Sequence, residues 1–149
     1  MGTKDKTIFE LLGEMQHVAI SVKDTEEAVK YFSKMGVKFG DINIGARPDA
    51  TLRGKPSPHR LKQAMSTNIR PNFQITQIVD GTSSQREFYE TKGLGVHHLC
   101  YNVDNLEETV AKFKELGIDV LQESKALGYR FMDTSKICGF VIEIVQRRS

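Results

Sequence analysis

Two histidines occupy equivalent places in an internal repeat, and this is the first pointer to chemistry. His17 lies in QHVAISVKDTEEAVKYFSKMGV, residues 16–37, and His98 in HHLCYNVDNLEETVAKFKELGI, residues 97–118. The offset is 81 throughout without a gap; it also pairs Val22 with Val103, Glu26 with Glu107, Glu27 with Glu108, Val29 with Val110, Phe32 with Phe113 and Gly36 with Gly117. Two copies at so long a period are a duplicated supersecondary unit, not a solenoid. A pseudo-twofold between the copies brings both imidazoles to one cavity. Glu143 belongs with them: it interrupts the apolar strand FVIEIVQ between Ile142 and Ile144, and a carboxylate buried there needs a partner. In the first half, NFQITQIV offers Gln74 or Gln77 in the corresponding strand. Two imidazoles, an amide oxygen and a carboxylate suit a divalent cation with positions left open for substrate oxygens. A single strand histidine is more often structural, and Glu143 alone reads as half of a salt bridge. The equivalence of His17 and His98 tips all three toward ligation.

Each repeat copy must position its histidine by a strand followed by a helix. Val18, Ile20 and Val22 alternate with His17, Ala19 and Ser21, as Leu99, Tyr101 and Val103 alternate with His98, Cys100 and Asn102; this is strand period. The large apolar face packs on a helix, and the face with the histidine and small residues lines the cavity. Alternation sends His97 to the opposite face, as a structural residue. Asp24 and Asn105 are placed as N-caps, with Glu27 and Glu108 three residues on. Val29, Phe32 and Met35, like Val110, Phe113 and Leu116, form an apolar helical stripe, and Gly36 and Gly117 end the helices. Further strands are predicted at about 37–44, 60–67 and 72–79, then 118–123, 129–134 and 139–146, with a short helix between Ser83 and Lys92. The division is an N-terminal extension at 1–14 (with a short IFELL helix), a βαβββ module at 15–82, a linker helix at 83–96 and a second βαβββ module at 97–149, in one compact α+β domain. Residues 40–60, rich in Gly, Pro and Arg, read as a long functional or mobile loop. Its Arg47, Arg53, Lys55 and Arg60 are equally consistent with a solvated surface and with contact to an anionic substrate. His59 is expected to be solvated, and Cys100 to be a small packing residue.

Composition narrows the class of function. The chain has 149 residues, 39% hydrophobic and 27% charged, with 21 Lys and Arg against 19 Asp and Glu. This is ordinary globular composition, and a net charge of +2 argues for no nucleic-acid partner. No segment approaches the roughly 20 apolar residues of a membrane helix, and the first residues lack a secretory apolar stretch. Cys100 and Cys138, without any CxxC, exclude a disulfide scaffold and a zinc ribbon, so a reduced cytoplasmic setting is expected.

The stretches QHVAISVKD, GLGVHHLCYNVDNLEE and GFVIEIVQ resemble the vicinal-oxygen-chelate (glyoxalase/bleomycin resistance/dioxygenase) superfamily. The similarity runs from about residue 15 to 146 and is weakest over 40–60. It is strongest to the methylmalonyl-CoA epimerase branch, with the glyoxalase I branch next. The resemblance implies paired βαβββ modules forming a half-open mixed-sheet barrel around a metal, and a homodimer. It implies ligands from the first, fourth, fifth and eighth strands, here His17, Gln74, His98 and Glu143, selecting Gln74 over Gln77. One divalent ion follows, Zn, Ni, Co, Mn or Fe by donor set. The implied activity is isomerase or epimerase chemistry on a small molecule, a proton being removed next to a carbonyl. Glu143 is then a candidate base as well as a ligand, and Tyr129 and Arg130 border the substrate. Epimerases of the family carry a further carboxylate on the third strand; here HRLKQAMST places Lys62 or Gln63 there, and Lys62 or a water becomes the second proton carrier. A glyoxalase I-type lyase is the main alternative, ahead of a dioxygenase and of a metal-free binding protein.

Overall fold

The computed structural model describes residues 5–148. Its elements are helix α1 (Ile8–Leu11), strand β1 (Leu12–Ser21), α2 (Thr25–Ser33), β2 (Asn43–Arg47), β3 (Thr51–Leu52), β4 (Lys55–Pro56), β5 (His59–Met65), β6 (Asn72–Gly81), α3 (Ser84–Lys92), β7 (Gly95–Val103), α4 (Leu106–Glu115), β8 (Val120–Ser124), β9 (Tyr129–Met132), α5 (Ser135–Cys138) and β10 (Val141–Gln146). All ten strands join one mixed sheet in the order β2-β5-β6-β1-β7-β10-β9-β8-β3-β4, which curls into a half-barrel. The two copies meet at its centre, where β1 and β7 run antiparallel with His17 opposite Cys100 and Ala19 opposite His98.

Local chemistry starts the helices where the sequence places them. Asp24 accepts from the Glu27 N–H at 3.0 Å, Asn105 from Glu108 at 3.1 Å and Ser83 from Arg86 at 3.0 Å. Each satisfies a backbone donor that the first turn leaves unpaired. The convex face of the second copy packs Tyr101, Val103, Ile142 and Ile144 against Leu106, Val110 and Phe113 of α4. Truncating the fully buried Phe113 to alanine costs about 3–5 kcal/mol. Ile8 and Leu12 join this core, so the N-terminal segment is a lid on α4, and β1 starts three residues earlier than the module boundary read from the repeat. The expected stripe is shorter than predicted: Met35 and Leu116 are 59% and 63% exposed, since each follows the last helical turn and projects past the sheet.

The largest departure is in 40–60, read as a loop. It contains β2, which edges the first module, and a β3–β4 hairpin that crosses to pair with β8 of the second module, Thr51 opposite Glu123. The hairpin turns on Arg53 and Gly54, both at positive φ (52° and 79°), the two-residue turn that matches strand twist. Asp49 accepts from Ser124 Oγ at 2.7 Å and from the Ala126 N–H at 2.9 Å, and Arg53 forks onto Glu87 with two 3.0 Å bonds. This strap lays Leu52 over the concave cluster Leu121, Tyr129, Phe131 and Val141.

Candidate functional site

The register places His17, Ala19, Gln74, His98, Cys100, Phe131, Val141 and Glu143 on one face of the sheet, the concave one. His17 Nε2 lies 3.2 Å from His98 Nε2, and Glu143 Oε1 lies 3.3 Å from the first and 3.1 Å from the second. His17, His98 and Glu143 are 4%, 2% and 9% exposed.

Two β-bulges orient the imidazoles. Gln16 is the extra residue of β1 between the Met15–Tyr101 and His17–Cys100 pairs, and His97 that of β7 between Ala19–His98 and Ile20–Val96. The repeat offset relates Gln16 to His97, so these two bulges are equivalent in the repeat, while a further register shift lies between Leu12 and Met15. A bulge re-aims the side chain it carries. Gln16 Oε1 accepts from His17 Nδ1 at 3.2 Å, and His97 Nδ1 meets His98 Nδ1 at 2.7 Å. His97 Nε2 lies 2.9 Å from Ser84 Oγ. With Nδ1 of each site histidine donating, both Nε2 atoms present lone pairs to the centre. Strict alternation sends His97 to the convex face; the bulge instead turns it to the concave side, where its ring stacks edge-on with Phe131 at 5.3 Å.

The electrostatics keep Glu143 anionic. Burial raises the Glu143 carboxyl, but the His98 and His17 rings outweigh it and hold the group below the usual carboxylate range. Burial lowers both His98 and His97. Cys100 Sγ lies within 4.8 Å of the His17 and Glu143 ligand atoms. In the metal-free protein, burial and Glu143 push its thiol far up and keep it protonated.

In that tautomer two nitrogen lone pairs and a carboxylate oxygen converge without a donor between them, which leaves Glu143 Oε1 without a hydrogen-bond partner among the described residues. Like ends repel unless a cation lies among them. Donors about 2.1 Å from one ion, at 90–109° to one another, stand roughly 3.0–3.4 Å apart, which matches the observed separations. The residues fit a divalent metal.

The other expected site residues divide. Gln74 lies on the concave face opposite Ala19, half-buried, and among the described residues its amide bonds to none of the three. Gln77 faces the other way and accepts from Thr25 N–H at 2.8 Å at the start of α2. Tyr129 is on the concave face, buried, its hydroxyl 3.0 Å from Gln122 Nε2, and burial pushes its phenol up to about 12. Two expectations are corrected. Lys62 pairs across the sheet with Gln77, on the convex side, and its ammonium is bound to Glu26 of α2; the residue facing the cavity is Gln63. Arg130 alternates to the convex face too, paired with Glu107 at 3.0 Å and Glu123 at 3.3 Å. His59, expected in solvent, is 3% exposed on the concave side of β5. A cavity of about 820 Å³ opens beside Gln16, Asn102 and Val145, and one of about 400 Å³ behind His97 and Val141.

The Glyoxalase/Bleomycin resistance protein/Dioxygenase superfamily profile matches residues 16–135. The chain belongs to this superfamily. Its paired βαβββ architecture is that of the vicinal-oxygen-chelate fold. The mitochondrial methylmalonyl-CoA epimerase of Bos taurus is 25% identical over 142 residues, covering 91% of this chain and 75% of the other. A crystal structure of methylmalonyl-CoA epimerase from Mycobacterium tuberculosis superposes with a TM-score of 0.70 at 18% identity, over 93% of this chain and 91% of that one. The Streptomyces coelicolor methylmalonyl-CoA epimerase bound to 2-nitronate-propionyl-CoA gives 0.66 at 17% identity, over 93% and 96%. At these identities the structural likeness speaks for the fold. No helix among the described residues is long and apolar enough to cross a membrane.

Proposed function

We propose that this superfamily member is a divalent-metal-dependent epimerase or isomerase that removes a proton next to a carbonyl. The observation that carries the reading is the convergence of His17 Nε2, His98 Nε2 and the unpartnered Glu143 Oε1 within 3.3 Å of one another. The likeness to methylmalonyl-CoA epimerases supports it. His17, His98 and Glu143, with Gln74 as the fourth donor, would hold the ion. When bound, it supplies Lewis-acid stabilisation of an enediolate.

The chain's own groups supply the rest. Glu143 takes the α-proton, its C–H electron pair passing into the carbonyl, and a proton returns to the same or the adjacent carbon. The Tyr129 phenol, held by Gln122, stays protonated and borders the substrate. With Lys62 on the convex side and Gln63 unable to titrate, water is the second proton carrier. The lactoylglutathione-lyase alternative rests on a specific observation: Glu143 is the one buried carboxylate among the described residues, and one carboxylate suffices when it returns the proton to the adjacent carbon.

The test is the metal content of protein purified without chelator, beside His98→Ala. About one divalent ion per chain, lost in the variant, is expected. Absence of metal, with no uptake of Co, Ni, Mn or Zn, overturns the reading. Solvent-deuterium incorporation into methylmalonyl-CoA, against thiol-dependent turnover of methylglyoxal, then separates epimerase from lyase.

A further inference from the structure

The concave face is chemically divided. On the second module its wall is apolar, with Leu121, Phe131 and Val141. On the first module it is more polar: around Leu61 and Ile78, β5 presents His59 and Gln63, β2 presents Arg47, and β6 presents Gln74 and Thr76. Arg47 is the informative residue. Arg53, Arg60, Arg130 and Arg147 each reach an Asp or Glu. The half-buried Arg47 reaches none among the described residues, and its one recorded bond is a long 3.4 Å contact from its guanidinium to Gln63 Oε1. The guanidinium lies back over Gly45, where a Cβ would come within 2.6 Å of Nη1, so the glycine makes room for it on this face.

Three further observations bear on what this wall receives. His59, directly across from Arg47, is 3% exposed; its Nδ1 donates to the Ser57 carbonyl at 2.8 Å and its Nε2 has no partner among the described residues. Buried polar atoms without partners are uncommon, and among the described residues Asn72 Oδ1, Thr76 Oγ1 and Glu143 Oε1 are the others, all on the concave face. The Tyr129 phenol on the opposite wall feels the charges of Glu143, Arg47 and Asp49.

We infer that Arg47 is a carboxylate-recognition residue: the substrate carries an acidic group away from its chelating oxygens, held on the first-module wall by the Arg47 fork, with its alkyl part on Leu121, Phe131 and Val141. This rests on the proposed reaction class for the orientation of the substrate, not for the charge preference. A half-buried guanidinium without a carboxylate gains most from a ligand that brings one.

The probes are 2-oxo dicarboxylates of four to six carbons, each against a 2-oxo acid of equal length in which an isopropyl group replaces the distal carboxylate. Both members share the chelating end. Affinities are measured by calorimetry on wild-type, Arg47→Gln, Arg47→Lys and His17→Ala proteins of unchanged circular dichroism. The best wild-type dicarboxylate should bind about tenfold more tightly than its isostere, the worth of one charged hydrogen-bonded contact. Arg47→Gln should abolish this ratio and leave the isostere's affinity alone, while Arg47→Lys keeps part of it. Equal wild-type affinities across the series, or a ratio that survives in Arg47→Gln, overturns the inference. His17→Ala should weaken acid and isostere alike with the ratio kept. The ratio therefore reports on Arg47, and the common loss on the metal reading.

Discussion

Each site histidine depends on the residue before it. The 2.7 Å contact between His97 and His98 sets which nitrogen of His98 faces the centre, and such outer partners typically carry 10–100-fold in metal affinity. His97→Phe keeps a ring beside Phe131 but loses the acceptor for His98 Nδ1. We expect it to weaken Co binding by about that factor, with His97→Gln recovering part; spectroscopic Co titration measures both. Equal affinities in His97→Phe and wild type would show that the contact does not orient the ligand. His17, His98 and Glu143 were legible in the sequence because a gapless repeat and a charge inside an apolar strand mark them. Gln16 and His97 were not, because a bulge shifts register by one residue without changing composition, and alternation reads straight through it. Arg130 was misread for the complementary reason: its own strand keeps the alternation with Tyr129, which puts the two neighbours on opposite faces.

At the scale of elements, capping residues and apolar alternation located α2, α3, α4 and the central strands to within a few residues. They could not locate the strap, whose two-residue strands carry too little pattern and whose partner, β8, lies some seventy residues downstream. Its turn can be tested directly. Gly54 sits at φ 79° with open space where a Cβ would be, so alanine meets no clash and only the left-handed backbone penalty, about 1–2 kcal/mol. Gly54→Ala should lower the unfolding free energy by about that amount in urea, with faster hydrogen exchange at Arg53, whose N–H donates to Leu121 at 2.8 Å. A neutral substitution would mean that the turn has another conformation in solution.

The whole molecule registers its buried imidazoles as a dependence of stability on pH. Burial, the dominant influence on His59, lowers it, as it does His97 and His98. An imidazole depressed in the folded state binds its proton first in the unfolded chain. Stability is therefore full above the unfolded value near 6.5 and is lost as pH falls below it toward the folded value, at about 1.4 kcal/mol per pH unit for each such group. Glu143, depressed as well, adds its loss only at more acid pH. Metal-free protein should lose urea resistance between about pH 6.5 and 5, and His59→Gln should shed one proton's share of the slope; an unchanged slope would place His59 in solvent. The strap has a further consequence, for inheritance. The sequence divides into halves at residues 83–96, but the structure does not, because Thr51 and Leu52 complete the second half's sheet. A recombinant joining the second half to the first half of a relative lacking this hairpin would leave β8 as a bare edge, open to pairing between chains. The two halves are thus constrained to evolve as one unit, although they began as copies.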